Sequence, residues 1–156
     1  MKLKTLLSAA AVALLAACSG DGPTGPNVPD LIPLPAGTPV VTAPSGLKYS
    51  EITVGTGATA QSGSHVTVHY TGWVAATGKG FDTSAGQQPL PLILGQHQVI
   101  TGFEEGIVGM KVGGKRRLYI PPALGYGATP VYDQDANLII PPNSELVFDI
   151  ELVGTT

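Results

Sequence analysis

The stretch ELVFDIELV, residues 145–153, alternates apolar and polar side chains along the chain. In an extended chain, one face would carry Leu146, Phe148, Ile150 and Leu152. Because successive side chains of a β-strand point to opposite faces, this pattern predicts a strand with one face in the core. Such alternation is typical of antiparallel sheets, whose other face is free to be polar.

Four other segments show strand signals, because they combine β-branched or aromatic residues with flanking turn residues. They are LKYSEITVG at 47–55, HVTVHYTGWV at 65–74, PLPLIL at 89–94 and KRRLYI at 115–120. Together with residues 145–153, they predict five strands in one antiparallel sheet.

The best helix candidate is TGFEEGIVGM, residues 101–110. Thr101 and Glu104 have the spacing of a capping box, and Gly109 can end the helix. Phe103 and Ile107 are four residues apart and therefore share one face. A mostly antiparallel sheet with this helix across it would close a single core, which is an α+β fold.

The N-terminus, MKLKTLLSAAAVALLAAC, has two lysines followed by an apolar run that ends before Cys18. The run is too short for a membrane span, and the pattern predicts a secretory signal over residues 1–17. LAAC resembles the lipobox of bacterial lipoproteins, in which the cysteine is acylated and becomes the new N-terminus. The alternative is an incidental small residue, but Cys18 is the chain's only cysteine and has no disulfide partner, which favours lipidation.

The segment after Cys18 is rich in residues that break regular structure, with six prolines between residues 19 and 43. It cannot form a regular helix or a central strand, so residues 18–44 are predicted to be a tether. We expect an exported protein that is anchored by lipid in a membrane and faces the periplasm of a Gram-negative envelope. The globular unit would be residues 45–154.

Composition limits the partners. The chain has 156 residues, 43% hydrophobic and 12% charged, which indicates one globular domain. Its formal net charge is −3, so it lacks the dominant basic field that nucleic-acid binding requires. We expect a monomer.

Most catalytic motifs are absent from the sequence. His65 and His69 would lie ~13 Å apart along a strand and could not share one metal ion. His97 stands alone in the loop GQHQ, and neither a Gly-x-Ser-x-Gly elbow nor a Walker motif occurs. We therefore expect no metal and no cofactor.

Three runs carry a family resemblance: VHYTGWVAATGKGFDTS at 68–84, LGQHQVITGFEEGIVGMKVGGKRRLYIPPALGYGA at 94–128 and IIPPNSELVFDIELV at 139–153. Their order and spacing resemble the FKBP-type peptidyl-prolyl cis/trans isomerases over almost all of residues 46–153. The resemblance implies a five-stranded antiparallel sheet wrapped around one short helix, with a pocket for proline between them. It also implies proline-containing polypeptides as substrates and a macrolide as a further ligand.

The resemblance assigns the pocket residue by residue. Phe103 would be its floor, and Leu90 stands where several members carry an aromatic residue. The backbone N–H of Ile100 and the hydroxyl of Tyr126 would donate hydrogen bonds to the substrate. Its walls and edge would be Tyr70, Phe81, Val99, Ile100, Ile139, Ile140 and Phe148.

Asp82 would lie at the rim of this pocket, oriented by the hydroxyl of Tyr70. The alternative is a purely structural acid that fixes the turn after Phe81. An isomerase needs no acid, because rotation of an X–Pro bond breaks amide resonance and makes no covalent bond. An apolar pocket would disfavour the dipolar planar amide more than the twisted transition state.

Two other functions compete with isomerase activity. A non-catalytic chaperone module would use the same pocket only to hold proline-containing segments. A solute-binding lipoprotein would normally need two lobes and a longer chain.

Overall fold

The computed structural model describes residues 28–156 of the chain. The predicted signal at 1–17 and the predicted lipidation site Cys18 lie outside the described residues. Within residues 28–156, no helix is both long enough and apolar enough to cross a membrane.

The described elements are nine strands of two to ten residues, one α-helix and a turn of 3₁₀ helix. They are β1 (Val41–Thr42), β2 (Lys48–Thr53), β3 (His65–Val74), β4 (Gly80–Thr83), β5 (Leu90–Ile93), α1 (Thr101–Ile107), β6 (Lys115–Ile120), the 3₁₀ turn Pro122–Leu124, β7 (Val131–Tyr132), β8 (Leu138–Ile140) and β9 (Leu146–Thr155).

Strand β9 lies in the middle of the main sheet, between β6 and β3. Its predicted inner residues are almost completely buried: Leu146, Phe148, Ile150 and Leu152. The alternation in the sequence therefore predicts this strand correctly. Both neighbouring strands hydrogen-bond to its backbone, and the helix packs on its inner face.

The main sheet has the order β1-β2-β6-β9-β3-β4, and every pairing in it is antiparallel. Strand β5 also pairs with β3, along its first half, while β4 pairs with its second half. Both therefore occupy the same edge of β3. The five predicted strands are all present, and the sheet adds two short ones, β1 and β4.

Helix α1 packs on the inner face of the sheet, against β6 and β9. Phe103 and Ile107 are fully buried, as their spacing predicts. Gly102 and Gly106 let the helix approach β6, since a Cβ atom at Gly102 would lie 2.6 Å from Cγ2 of Ile120. Gly109 follows the helix with a φ of 85°, which fits its predicted role at the helix end.

The predicted capping box is wrong. Ile100 is the N-cap residue, and no side chain caps the helix. The carboxylate of buried Glu104 instead accepts hydrogen bonds from the backbone N–H groups of Gly95, at 3.1 Å, and Gln98, at 3.2 Å. Glu104 thus binds the preceding loop to the helix.

Part of the predicted tether contacts the sheet. Residues 28–32, called the strap here, contact the outer face of the sheet, which is the face opposite α1. Carbonyl oxygens of Pro29 and Ile32 accept hydrogen bonds from the side chains of Trp73 and Arg117. Proline lacks an N–H group but keeps a carbonyl acceptor, so a proline-rich segment can still bind to a sheet through such acceptors.

Candidate active site

Four aromatic rings meet between α1 and the inner face of the sheet. Phe148, on β9, contacts the rings of Phe103 at 5.2 Å and Phe81 at 5.5 Å between centroids, both nearly perpendicular. Tyr70, on β3, makes a similar edge contact with Phe103 at 5.7 Å. Edge-to-face packing is favoured by the ring quadrupoles, so this cluster forms a rigid apolar wall.

Gly72 is a site residue that the predicted set lacks. A Cβ atom there would lie 2.6 Å from Cε1 of Phe148 and 2.7 Å from Cζ of Phe81. The missing side chain therefore makes room for both rings. A glycine inside the β-branched run of β3 is the sequence signal for such a close approach.

Tyr70 and Asp82 are joined by a hydrogen bond. The hydroxyl of Tyr70 donates to Oδ2 of Asp82 at 2.8 Å, and both residues are buried. The two strands place them side by side, because Asp82 pairs with Gly72 and the side chain of Tyr70 points to the same face. This is the orienting contact that the family resemblance implies.

Ser84 also fixes this part of the sheet and was not among the predicted residues. Its buried Oγ accepts a hydrogen bond from the backbone N–H of Tyr70 at 2.9 Å and lies 3.0 Å from Nδ1 of His69. The backbone N–H of Ser84 in turn donates to the carbonyl of Tyr70 at 2.9 Å. Ser84 thereby ties the end of β4 to the backbone of Tyr70.

Burial controls the charge state of these groups. Desolvation raises the pKa of Asp82 above its ordinary value, although hydrogen bonds from Tyr70 and the Thr83 backbone act in the opposite direction. Burial and the nearby Asp82 carboxylate raise the pKa of Tyr126 to about 12 and raise that of Tyr70 further still. Both phenols are therefore hydrogen-bond donors at neutral pH.

Tyr126 and Ile100 supply donors without partners among the described residues. Tyr126 follows the 3₁₀ turn and is buried in the same core cluster as Tyr70 and Phe103. Its hydroxyl binds no acceptor in residues 28–156. The side-chain atoms in that range that are both fully buried and unpaired are Ser50 Oγ and Thr155 Oγ1, and the Tyr126 hydroxyl is not among them. The backbone N–H of half-buried Ile100 likewise finds no acceptor in that part of the chain.

The remaining predicted residues belong to the same hydrophobic cluster. Val99 and Ile140 are buried, and three others are half-buried against them: Leu90, Ile100 and Ile139. All the predicted apolar side chains therefore belong to or pack against one hydrophobic cluster, and Leu90, Ile100 and Ile139 remain partly exposed.

The histidines lie elsewhere. His65 and His97 are exposed, and His69 belongs to the outward-facing set of β3. No cluster of three or more potential metal ligands occurs in residues 28–156. A cleft of about 400 Å³ near His65 also involves none of the predicted site residues; it is lined by His65, Val66, Thr67, Pro91, Leu92, Ile93, Gln98, Gly154, Thr155 and Thr156.

Comparison with known proteins identifies the family. The family model for FKBP-type peptidyl-prolyl cis-trans isomerase matches residues 56–153. The FK506-binding protein of Neisseria meningitidis serogroup B is 46% identical over 109 residues, which are 69% of this chain and 94% of the relative. FK506-binding protein 4 of Dictyostelium discoideum is also 46% identical, over 74% of this chain but only 30% of its own length.

The fold agrees with this assignment. The crystal structure of AtFKBP13 aligns with a TM-score of 0.68 and 38% identity, over 76% of this chain and 99% of that chain. The predicted FKBP-like α+β fold and the predicted enzyme class are both confirmed. The chain belongs to the family of FKBP-type peptidyl-prolyl cis-trans isomerases.

Proposed function

We propose that this protein accelerates cis/trans isomerisation of X–Pro bonds in exported or envelope proteins, with the proline ring held against the Phe103–Phe148 aromatic cluster. The observation that carries the proposal is the hydrogen bond from Tyr70 to Asp82 beside that cluster, with the unpaired donors of Tyr126 and Ile100 nearby. An uncatalysed X–Pro bond takes tens to hundreds of seconds to rotate, so this reaction limits folding.

The apolar wall supplies most of the catalysis. A planar amide is strongly dipolar through resonance, and the twisted transition state has lost much of that charge separation. Transfer from water into a pocket of phenyl rings therefore costs the ground state more than the transition state, which lowers the barrier. The substrate needs no acid or base for this step.

Two donors would orient the substrate. The N–H of Ile100 would bind a backbone carbonyl of the peptide, and the hydroxyl of Tyr126 would bind a second one. With its raised pKa, Tyr126 stays a donor throughout the physiological range. Asp82 would face the rotating carbonyl, held in place by Tyr70.

The relatives suggest a second ligand class. The Neisseria relative is named for binding FK506, and the same apolar wall in this chain would accept a macrolide. Leu90, a half-buried aliphatic residue, would make a smaller contact with such a ligand than an aromatic ring would.

Lipidation of Cys18 would place the enzyme where newly exported chains fold. Two or more acyl chains would anchor it stably in a membrane of a Gram-negative envelope, facing the periplasm. The protein would act there as a monomer, since each chain would carry a complete pocket.

Proline-limited refolding tests the proposed site and separates it from a module that only holds its clients. The variant Tyr126→Phe keeps the ring and removes one donor, so it should lower kcat/KM several-fold in a folded protein. Adding Asp82→Ala should lower it further, and Tyr132→Phe, at an exposed position, is the matched control. A wild-type chain that binds a proline peptide but does not accelerate refolding would favour the holding module. Unchanged kcat/KM in the double variant would show that the site lies elsewhere.

A further inference from the structure

Every residue of the strap, residues 28–32, contacts either Arg117 or the β3–β4 hairpin between residues 73 and 80. Indole Nε1 of Trp73 donates to the carbonyl of Pro29 at 2.7 Å, and the N–H of Leu31 donates to the carbonyl of Gly78 at 2.9 Å. The other contacts are an exposed ion pair of Asp30 with Lys79, the hydrogen bond from Arg117 to the Ile32 carbonyl, and packing of Val28 on Gly80.

Two of these contacts are made to buried side chains on the outer face of the sheet. Trp73 belongs to the outer face of β3, yet only 5% of it is exposed. Arg117 is also 5% exposed and binds both carboxylate oxygens of Asp149, at 2.6 and 2.8 Å, besides the Ile32 carbonyl. The strap therefore packs on the outer face of the sheet, although it precedes β1 in the chain and forms no strand itself.

The strap touches both residues of one cross-strand pair. Trp73 and Gly80 are paired in the β3–β4 register, and the strap contacts Trp73 through Pro29 and Gly80 through Val28. A Cβ atom at Gly80 would overlap the side chain of Val28, so the glycine creates the space that Val28 fills. The strap therefore contacts the first residue of β4, Gly80, and its partner on β3 together.

Strand β4 needs such support. It has four residues, it is the last strand in the sheet order, and its register with β3 shifts between Gly72 and Trp73. Short edge strands with few pairs open readily. Phe81 and Asp82 follow Gly80 directly on this strand, and their side chains meet Phe148 and Tyr70 on the opposite face of the sheet.

We propose that the strap is a positioning element for the isomerase pocket: by clamping Trp73 and Gly80 from the outer face, it fixes β4 and thereby Phe81 and Asp82 on the inner face. This inference rests on the proposed assignment of Phe81 and Asp82 to the pocket. A released strap leaves the central strands intact and lets β4 fluctuate.

The full-length chain with Val28→Gly and Leu31→Pro tests the proposal, because these changes remove the packing on Gly80 and the N–H that binds Gly78. Trp73 is the chain's only tryptophan, so its emission reports whether the strap is in place. We expect a red shift of that emission and faster amide exchange at Asp82 and Thr83. We also expect kcat/KM to fall roughly tenfold, since small displacements of positioned groups cost up to ~10²-fold in rate.

The matched control is Ile32→Ala. Ile32 is 74% exposed and its carbonyl remains available to Arg117, so emission, exchange and rate should stay as in the wild type. An unshifted Trp73 emission in the release variant, or a shifted emission with unchanged exchange in β4, would overturn the proposal. Faster exchange in β4 with an unchanged rate would also overturn it if the Tyr126 and Asp82 variants are impaired. If those variants retain full activity, the pocket assignment is at fault, and the exchange data alone decide whether the strap fixes β4.

Discussion

The hydroxyl of Tyr70 donates a 2.8 Å hydrogen bond to the carboxylate of Asp82. Burial nevertheless raises the pKa of that carboxylate. The hydrogen bond offsets only part of the desolvation, so ionised Asp82 is less favourable in the folded protein than in the unfolded chain. Ionised Asp82 therefore costs stability, and the residue lies beside an apolar cluster. Both properties fit a functional role for Asp82 better than the role of an acid that only fixes a turn.

The first prediction concerns how stability depends on pH. Because the folded protein binds the Asp82 proton more tightly than the unfolded chain, the resulting stabilisation is full below the ordinary pKa of 3.8. It is lost as pH rises through the folded pKa. The free energy of unfolding of wild type relative to Asp82→Asn should therefore fall as pH rises above the ordinary pKa of 3.8, as measured by urea denaturation. A relative stability that rises with pH would contradict the raised pKa.

The second prediction concerns the contact of α1 with β6. Replacing a helical glycine by alanine normally stabilises by ~1 kcal/mol. At Gly106 the new methyl would lie 2.6 Å from Cδ2 of fully buried Leu118, so we expect Gly106→Ala to destabilise by ~1–3 kcal/mol instead. Urea denaturation measures the change. In a Leu118→Val background the cost should shrink, and a stabilising Gly106→Ala would show that the core can adjust.

The sequence predicts the parts of this fold that depend on local periodicity. The alternation of Phe148 and Ile150 with Asp149 and Glu151 locates β9, because a strand buried on one face must repeat every two residues. The four-residue spacing of Phe103 and Ile107 likewise identifies the inner face of α1. The family motifs then assign the aromatic cluster, which local periodicity alone would describe only as core.

Contacts between distant segments are not encoded in such patterns. Glu104 has the spacing of a capping residue, but its partners are N–H groups of a loop whose position depends on the whole fold. The strap looks like part of a linker because it lies in a longer segment, residues 19–43, whose prolines and glycines break regular structure. Its docking depends on Trp73 and Arg117, which lie 44 and 85 residues away from their partners in the chain.

The third prediction concerns the anchor. If Cys18 is acylated, Cys18→Ser should abolish metabolic labelling with a fatty acid and release the protein from the membrane fraction, because the acyl chains supply the anchoring energy. Ser19→Ala should leave the labelling intact. Labelling that persists in the Cys18→Ser protein would contradict lipidation at this residue.

The last prediction uses pH to test the chemical mechanism. General acid–base catalysis by histidine would titrate near its ordinary pKa of ~6.5. The proposed mechanism transfers no proton, and Tyr126, with a pKa raised to about 12, stays protonated at neutral pH. With a peptide that has a non-titrating residue before proline, kcat/KM should show no titration near pH 6.5 that depends on a histidine. Any fall at lower pH should come from protonation of Asp82 and be absent in Asp82→Asn.

Two controls separate this outcome from proton transfer. Replacing His65, His69 and His97 together by glutamine should change kcat/KM little, because two are exposed and the third, His69, belongs to the outward-facing set of β3. The rate in heavy water should be almost the same as in light water, since no proton moves in the rate-limiting rotation. A titration near pH 6.5 that disappears in one histidine variant, or a large solvent isotope effect, would mean that a side chain transfers a proton and that desolvation alone does not explain the catalysis.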